Sequence, residues 1–480
     1  MVQAYFKNFF GDKEKILTIL VYFALFLYLI FPYSDKDWGW HLKYGEYLLK
    51  TGKILTSDIF SWTMPGYQWA NHSWAYDPLM YFLYKNTGFI GLSVAGAIVG
   101  LLTFYIIVKQ FNLSWLKIAI IGFFFLRLSE GGLNEGLRSQ VVGGLFFSAL
   151  MVIFIKYRQN PKIIYFLPLL FLLWANFHGT FLLGLLITGI FLTYYFFSEK
   201  KLSFVLPLVF LISFLATFIN PFFHKIYLEG IRHFSNPYLK EISEWQPSVL
   251  SCDYCNVPTV FIYLILLANF LFKKRKLEHI PHVAVILILT YLGFSSRRYL
   301  SILAIVTLPV ASEIIQNLNF KPEKFRSYLF LSFLAILVLI EFNLFSRLPG
   351  FNFYKYNEYN YCFYSSGCSS PVAEYLKKHP PKGNGFNFYN TGGYYIGKDI
   401  PAKLFIDGRM HLWEKDGYMP FAEYSQIFYS RNYDTWKKYN IKWALIPVNS
   451  DLGIILLNTK KLEAWSLEYQ DNNNGYFVRK

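Results

Sequence analysis

Apolar residues fall in blocks along most of the chain, at 14–33, 88–108, 114–128, 140–156, 162–175, 180–197, 202–219, 258–272, 281–295, 299–313 and 327–345. A helix rises 1.5 Å per residue, so blocks of this length match a hydrocarbon core of about 30 Å, and the pattern predicts about eleven transmembrane helices. Residues 75–86 read as a helix lying in the interface. With a cytoplasmic amino terminus and alternating spans, the inner loops are Lys109 to Lys117, Lys156 to Lys162, Glu199 to Lys201, Lys273 to Lys276 and Lys321 to Arg326. All are rich in lysine and arginine, as the positive-inside rule requires. Beyond residue 345 the pattern changes to short, Tyr-rich runs punctuated by Gly, Pro and Asn. Runs at 385–389, 403–406, 442–447 and 476–479 predict strands, and 371–379, 417–429 and 433–439 predict helices, with Ser370 as a cap. The fold class is therefore an all-α polytopic membrane protein over 1–345, carrying a small extracytoplasmic α/β domain over 346–480.

Composition agrees: 480 residues, 54% hydrophobic, 21% aromatic and 16% charged, describe a polytopic membrane protein and exclude an ordinary soluble enzyme. The net charge of +16 comes from 46 basic and 30 acidic residues. Its basic residues punctuate the apolar blocks, so loop bias explains them and nucleic acid is not a partner, whereas membrane lipid is. Lys7, Lys13 and Lys15 precede an apolar run longer than a signal-peptide core, with no small-x-small site after it, so the segment reads as a retained anchor.

The outer side collects the unusual residues. The first outer loop, 34–75, opens Ser34-Asp35-Lys36-Asp37-Trp38-Gly39-Trp40-His41, placing two carboxylates, two indoles and an imidazole beside the membrane. If the chain is helical from residue 37, Asp37 and His41 share a face and Asp37 accepts a hydrogen bond from His41. That leaves Asp35 as the favoured general base. The bland alternative is an aromatic belt with ordinary juxtamembrane charges. Asn71 and His72 close the same loop, and His178 and Glu244 lie in later outer loops. Arg138, Arg297 and Arg298 stand on the translocated side against the charge bias, so each needs a partner: a phosphate gripped by the guanidinium fork, or nearby glutamates such as Glu130, Glu135 and Glu244. Cys252, Cys255, Cys362 and Cys368 all fall outside, which favours disulfides over half of a zinc site, with the pairing open. Seven of the nine histidines are outer, yet none has H-E-x-x-H spacing. Phosphate-loop, G-x-S-x-G and dinucleotide fingerprints are missing from the sequence.

Four motifs carry a resemblance: D-x-D-x-x-W-H-x-x-x-G (Asp35, Asp37, Trp40, His41, Gly45), W-x-N-x-H-G (Trp174, Asn176, His178, Gly179), N-P-F…E-W-Q-P (Asn220 to Phe222, Glu244 to Pro247), and G-G-Y…F-I-D-G-R (Gly392 to Tyr394, Phe405 to Arg409). With them the chain resembles the GT-C superfamily of multi-pass glycosyltransferases, such as the protein mannosyltransferases and aminoarabinose transferases, and more closely a little-characterised bacterial branch. The resemblance implies an enzyme, an inverting glycosyltransferase of a bacterial plasma membrane, taking a polyprenyl-phosphate-linked sugar to a glycan, lipid or protein acceptor on the outer face. It implies Asp35 and Asp37 as the catalytic pair, and as ligands if a divalent metal takes part, as in oligosaccharyltransferases. Arg138, Arg297 and Arg298 would bind the donor phosphate, and His41, Asn71, His72, His178 and Glu244 the substrates. The mannosyltransferases have an adjacent Asp-Glu pair; here Lys36 separates the carboxylates. Two rivals stand beside this reading: a lipid-linked glycan polymerase or ligase of another multi-pass class, and a non-catalytic glycolipid-binding or transport protein.

Overall fold

The computed structural model describes residues 2–30, 33, 35–130, 132–133, 135–198, 204–248, 260–261, 263–268, 280–318, 370–430, 434–458, 465–471 and 474–480. The predicted span 327–345, much of 258–272, and all four cysteines lie outside the described residues. The first apolar block forms the end of α1 (Val2–Leu29), whose Ile16, Ile19, Leu20 and Phe23 are exposed along one stripe. Then come α2 (Trp38–Thr51), α3 (Tyr76–Val108), α4 (Trp115–Leu128), α5 (Ser139–Tyr157), α6 (Leu167–Phe177), α7 (Phe181–Ser198), α8 (Val205–Ala216), α9 (Lys225–Ser235), α10 (Ile280–Ser295) and α11 (Leu300–Gln316). Among the described residues, four helical stretches, Tyr76–Val108, Ser139–Tyr157, Phe181–Ser198 and Arg297–Gln316, are long and apolar enough to cross a membrane; Pro161–Phe177, Val205–Ala216 and Ile280–Ser295 are shorter apolar helices. In α3 the backbone breaks at Gly88 (φ 62°), where the expected interfacial stretch meets the expected span. Glycine takes this left-handed geometry without the Cβ clash that other residues meet.

α11 is buried almost all round from Leu300 to Ser312 and forms the axis against which α3, α4, α5 and α10 pack. Some hydroxyls inside the bundle find carbonyl acceptors: Thr307 Oγ1 donates to the Leu303 carbonyl at 2.6 Å within its own helix, and Ser148 Oγ to the Thr103 carbonyl of a neighbouring helix at 2.8 Å. One end of the bundle is marked by Glu14 accepting from the Trp115 N–H at 2.8 Å and Lys117 Nζ donating to the Gln316 carbonyl at 2.9 Å. The other end gathers the loops predicted to be outer.

The tail contains α12 (Ser370–Lys378), β1 (Asn384–Asn387), α13 (Gly392–Gly397), α14 (Pro420–Phe428), α15 (Asp434–Lys438), β2 (Ile441–Pro447), α16 (Asp451–Asn458), β3 (Trp465–Gln470) and β4 (Asn474–Arg479). The sheet order is β1-β2-β4-β3, with β1 parallel to β2 and the other neighbours antiparallel. Three of the predicted strands are in the sheet. The fourth, 403–406, is not: the N–H groups of Phe405 and Ile406 donate to the buried Asn387 side chain, and Leu404 pairs with Ser61 of the first loop. Its extended conformation serves docking. The pattern also missed β3, α13 and α16.

First loop and tail share one hydrophobic core. Trp38 and Trp69 of the loop are buried with Tyr394, Phe405 and Trp413 of the tail. α2 crosses α13 backbone to backbone: a Cβ at Gly39 would stand 1.9 Å from the Gly393 carbonyl oxygen. A Cβ at Gly393 would in turn stand 2.3 Å from the Lys36 carbonyl oxygen, which gives the second glycine of the G-G-Y motif its physical reason.

Candidate active site

Asp35 lies a few residues beyond the end of α1 and is buried, 2% exposed. Its Oδ2 accepts from the Tyr33 hydroxyl at 3.2 Å, its Oδ1 from the Asp37 N–H at 3.0 Å, and Arg138 Nε lies 3.5 Å from Oδ1. Asp37 stands at the N-cap of α2, yet its carboxylate makes no capping bond and is half-buried. Burial first, then repulsion from Asp35, raises the Asp37 carboxyl to about 6, against the pull of Trp40, His41 and Arg138.

The arginines are held by carboxylates. Arg138, at the start of α5, pairs with Glu135 and lies 3.9 Å from Glu244; Arg298 Nη1 donates to Glu244 Oε1 at 2.7 Å and its guanidinium sits over the Trp245 ring at 4.8 Å. Arg127 pairs with Glu130 at 2.9 Å. Burial would raise Glu244, but Arg298 and Arg138 hold it below the usual carboxylate range. Glu135 is raised, chiefly by burial. Arg297 turns to Gln246, donating to its Oε1 at 2.9 Å, so of the three predicted phosphate-binding arginines Arg138 and Arg298 meet at Glu244, and Arg138 reaches Asp35 as well.

His41 does not bond to the Asp37 carboxylate as its spacing suggested. Its Nδ1 meets Asp77 Oδ1 at 2.6 Å, and Asn71 Nδ2 donates to Asp77 Oδ2 at 2.6 Å, all three buried. Asp77, in the first turn of α3, was missed; a carboxylate thirty-six residues downstream leaves no local signal. His72 and His178 come together edge to face at 6.0 Å, and the Thr180 N–H donates to His178 Nδ1, which assigns the ring proton to Nε2.

The tail supplies the remaining wall, which sequence reasoning left out although it carries the F-I-D-G-R motif. In the turn Asp407–His411, a Cβ built on Gly408 would lie 1.8 Å from Asp37 Oδ1. His411 donates through Nδ1 to the Gly408 carbonyl at 2.8 Å, and Tyr389 donates its hydroxyl to the same carbonyl at 3.2 Å. His411 lies 5.8 Å from His233 of α9, whose ring packs on Trp245 at 4.1 Å. Burial lowers all four of these histidines: His72 to about 4, His233 to about 2, and His178 and His411 in the same direction. Near neutral pH the enclosure is therefore lined by uncharged imidazoles, two guanidiniums and four carboxyls (Asp35, Asp37, Glu135, Glu244).

Behind the turn, Arg409 is fully buried. It donates to Asp407 Oδ1 (2.8 Å) and Oδ2 (2.7 Å), to Asp58 Oδ1 (2.7 Å) and to the Tyr44 hydroxyl (2.9 Å), with the rings of Tyr44, Phe60, Trp69 and Trp413 4.9–5.8 Å around it.

For a divalent ion the donors fit poorly. Asp35 is committed to Tyr33, the Asp37 N–H and Arg138, and among the described residues no group of three or more His, Cys, Asp or Glu side chains is arranged to hold a metal. The cation beside Asp35 is the Arg138 guanidinium.

A helical bundle whose one end meets the first loop and an α/β tail is a fold that this chain shares with a solved oligosaccharyltransferase. The particular likeness is to the oligosaccharyltransferase of Archaeoglobus fulgidus. Its apo form matches with a TM-score of 0.53 at 11% identity, over 90% of this chain and 69% of that one. The same protein tethered by a disulfide to an acceptor peptide containing the NVT sequon matches with a TM-score of 0.54 at 11% identity, over 93% and 70%. At that identity the likeness is one of fold. No family model and no curated protein matches the chain in sequence.

Proposed function

We propose that the protein is a membrane glycosyltransferase that moves a sugar from a polyprenyl-phosphate donor to an acceptor at the outer face of a bacterial plasma membrane, with its amino terminus in the cytoplasm. The observation that carries this reading is the division of the acidic pair: Asp35 buried and fully engaged, Asp37 half-buried beside it, with two arginines at the same end of the bundle. On these exposures we favour the opposite order from the one that spacing suggested. Asp37 is the general base and Asp35 its orienter, through the Asp37 N–H and Arg138.

In the reaction, an acceptor hydroxyl or amide gives its proton to Asp37 as its heteroatom attacks the anomeric carbon. The bond from that carbon to the phosphate oxygen breaks on the opposite face, inverting the configuration. The departing phosphate keeps the electron pair and is stabilised by Arg298 and Arg138, whose fork geometry suits it. Glu244 occupies these arginines in the structure and must yield to the donor. The archaeal oligosaccharyltransferase held with its acceptor peptide supports an acceptor substrate, as an analogy of fold.

The test is transfer of labelled sugar from a panel of polyprenyl-phosphate hexoses by protein in lipid nanodiscs. Losing a general base costs about 10²–10⁴-fold in rate. Asp37→Asn should fall in that range with donor binding retained, and Asp35→Asn should fall less. Wild-type rates in Asp37→Asn would defeat the assignment. The arginine–carboxylate pairing favours one alternative, a glycolipid-binding scaffold, which would bind polyprenyl phosphate and turn over none of the panel.

A further inference from the structure

We propose that the Asp407–His411 turn is a positioning element for Asp37, anchored by Arg409 and acting through the backbone of Gly408; this rests on the reading of Asp37 as the base. Gly408 is flanked by two residues locked by the densest polar cluster in the tail. Asp407 and Arg409 are both fully buried and joined by three hydrogen bonds, one from the Arg409 backbone N–H, and Arg409 is further tied to Asp58 and Tyr44 of the first loop. Two more donors, Tyr389 and His411, converge on the Gly408 carbonyl. The turn thus has little freedom, and the atom that it presents to Asp37 is a bare Cα.

The consequence is steric and falls on one side chain. A Cβ at 408 would lie 1.8 Å from Asp37 Oδ1, 2.8 Å from Cγ and 3.1 Å from Oδ2, and meets no other atom at closer range. The carboxylate is the free end of a side chain, whereas the turn is held on four sides. The carboxylate therefore yields, by more than 1 Å if ordinary contact is to be restored. A displacement of about 1 Å at a reacting group costs about 10²-fold. This explains a glycine between Asp407 and Arg409 where the local backbone does not require one, and gives the motif a role beyond packing.

Two measurements test it. The first is independent of activity: in a background lacking the native cysteines, Asp37→Cys with Gly408→Cys should form a disulfide. The sulfur at 37 would replace a Cγ that lies 2.8 Å from the Cβ at 408, within reach of a short S–S bond. Protection of both thiols from maleimide, reversed by reductant, is expected; free labelling of both overturns the contact. The second is kinetic. Gly408→Ala should lower kcat about 10²-fold with donor KM within twofold and an unchanged melting temperature. Combined with Asp37→Asn it should add nothing, because both changes remove the same function. Wild-type kcat in Gly408→Ala while Asp37→Asn is inactive, or full additivity of the two, overturns the positioning role. If Asp37→Asn itself keeps wild-type activity, the base assignment fails and the proposal with it.

Discussion

Replacing Arg409 by Met should undock the tail without unfolding the membrane bundle. The side chain is of similar length and apolar, and four aromatic rings remain to receive it, so packing loss is small. What changes is charge. Asp58 and Asp407 are both fully buried and share this one guanidinium. Removing one partner of a buried ion pair costs about 3–5 kcal/mol, because the other charge is left without compensation. The structure argues for the lower part of that range. Asp58 keeps the Ser61 hydroxyl (2.6 Å), the Ser61 N–H (2.9 Å) and the Phe60 N–H (3.3 Å), and Asp407 keeps the N–H of residue 409. The lost cation–π contacts add about 0.5–2 kcal/mol. A total near 4 kcal/mol corresponds to roughly a thousandfold larger undocked population. Limited trypsinolysis in detergent reads that population directly when docking is fast relative to cleavage. Cuts at Lys398, Lys403 and Lys415 should accelerate by two to three orders of magnitude while the bundle fragment stays intact. Asp58→Asn, which leaves Arg409 its two bonds to Asp407, should cost only about 1–3 kcal/mol. Cleavage of Arg409→Met at the wild-type rate would refute the idea that this ion cluster holds the tail to the first loop.

The other expectations concern charge and pH. Asp37 must be ionised to accept a proton, so transfer should fall as pH drops through about 6, an acidic limb visible in kcat/KM against pH. The four histidines have folded pKa values below their unfolded ones, so the stability tied to their neutral forms is present above about 6.5 and is lost as pH falls towards 4. Melting temperatures of His72→Gln should accordingly depend less on pH across that window than those of the wild type. Glu244→Gln removes the anion from Arg298 and should tighten binding of polyprenyl phosphate several-fold, whereas Arg298→Lys should weaken it and Arg298→Ala weaken it further. Unchanged lipid binding in all three, with a lower melting temperature, would assign Arg298 a purely structural role.

The sequence by itself determined what depends on local pattern. Block length and hydropathy placed the apolar helices, and the short Tyr-rich runs of the tail announced strands, three of which lie in its sheet. Local pattern also produced its own errors. The i, i+4 spacing offered His41 to Asp37, but packing gave it Asp77 from another helix, and an alternating run at 403–406 read as a strand although its partners are Asn387 and the first loop. Only the tertiary structure decided which carboxylate is buried, which arginines meet, and that Gly408 touches Asp37. Asp58 and Arg409 stand 351 positions apart, and each alone is an unremarkable charge. Burial makes their pairing obligatory, because a lone charge in a low-dielectric core is too costly to persist. Burial is a property of the folded packing, set by residues far apart along the chain, and periodicity within a single segment carries no record of it.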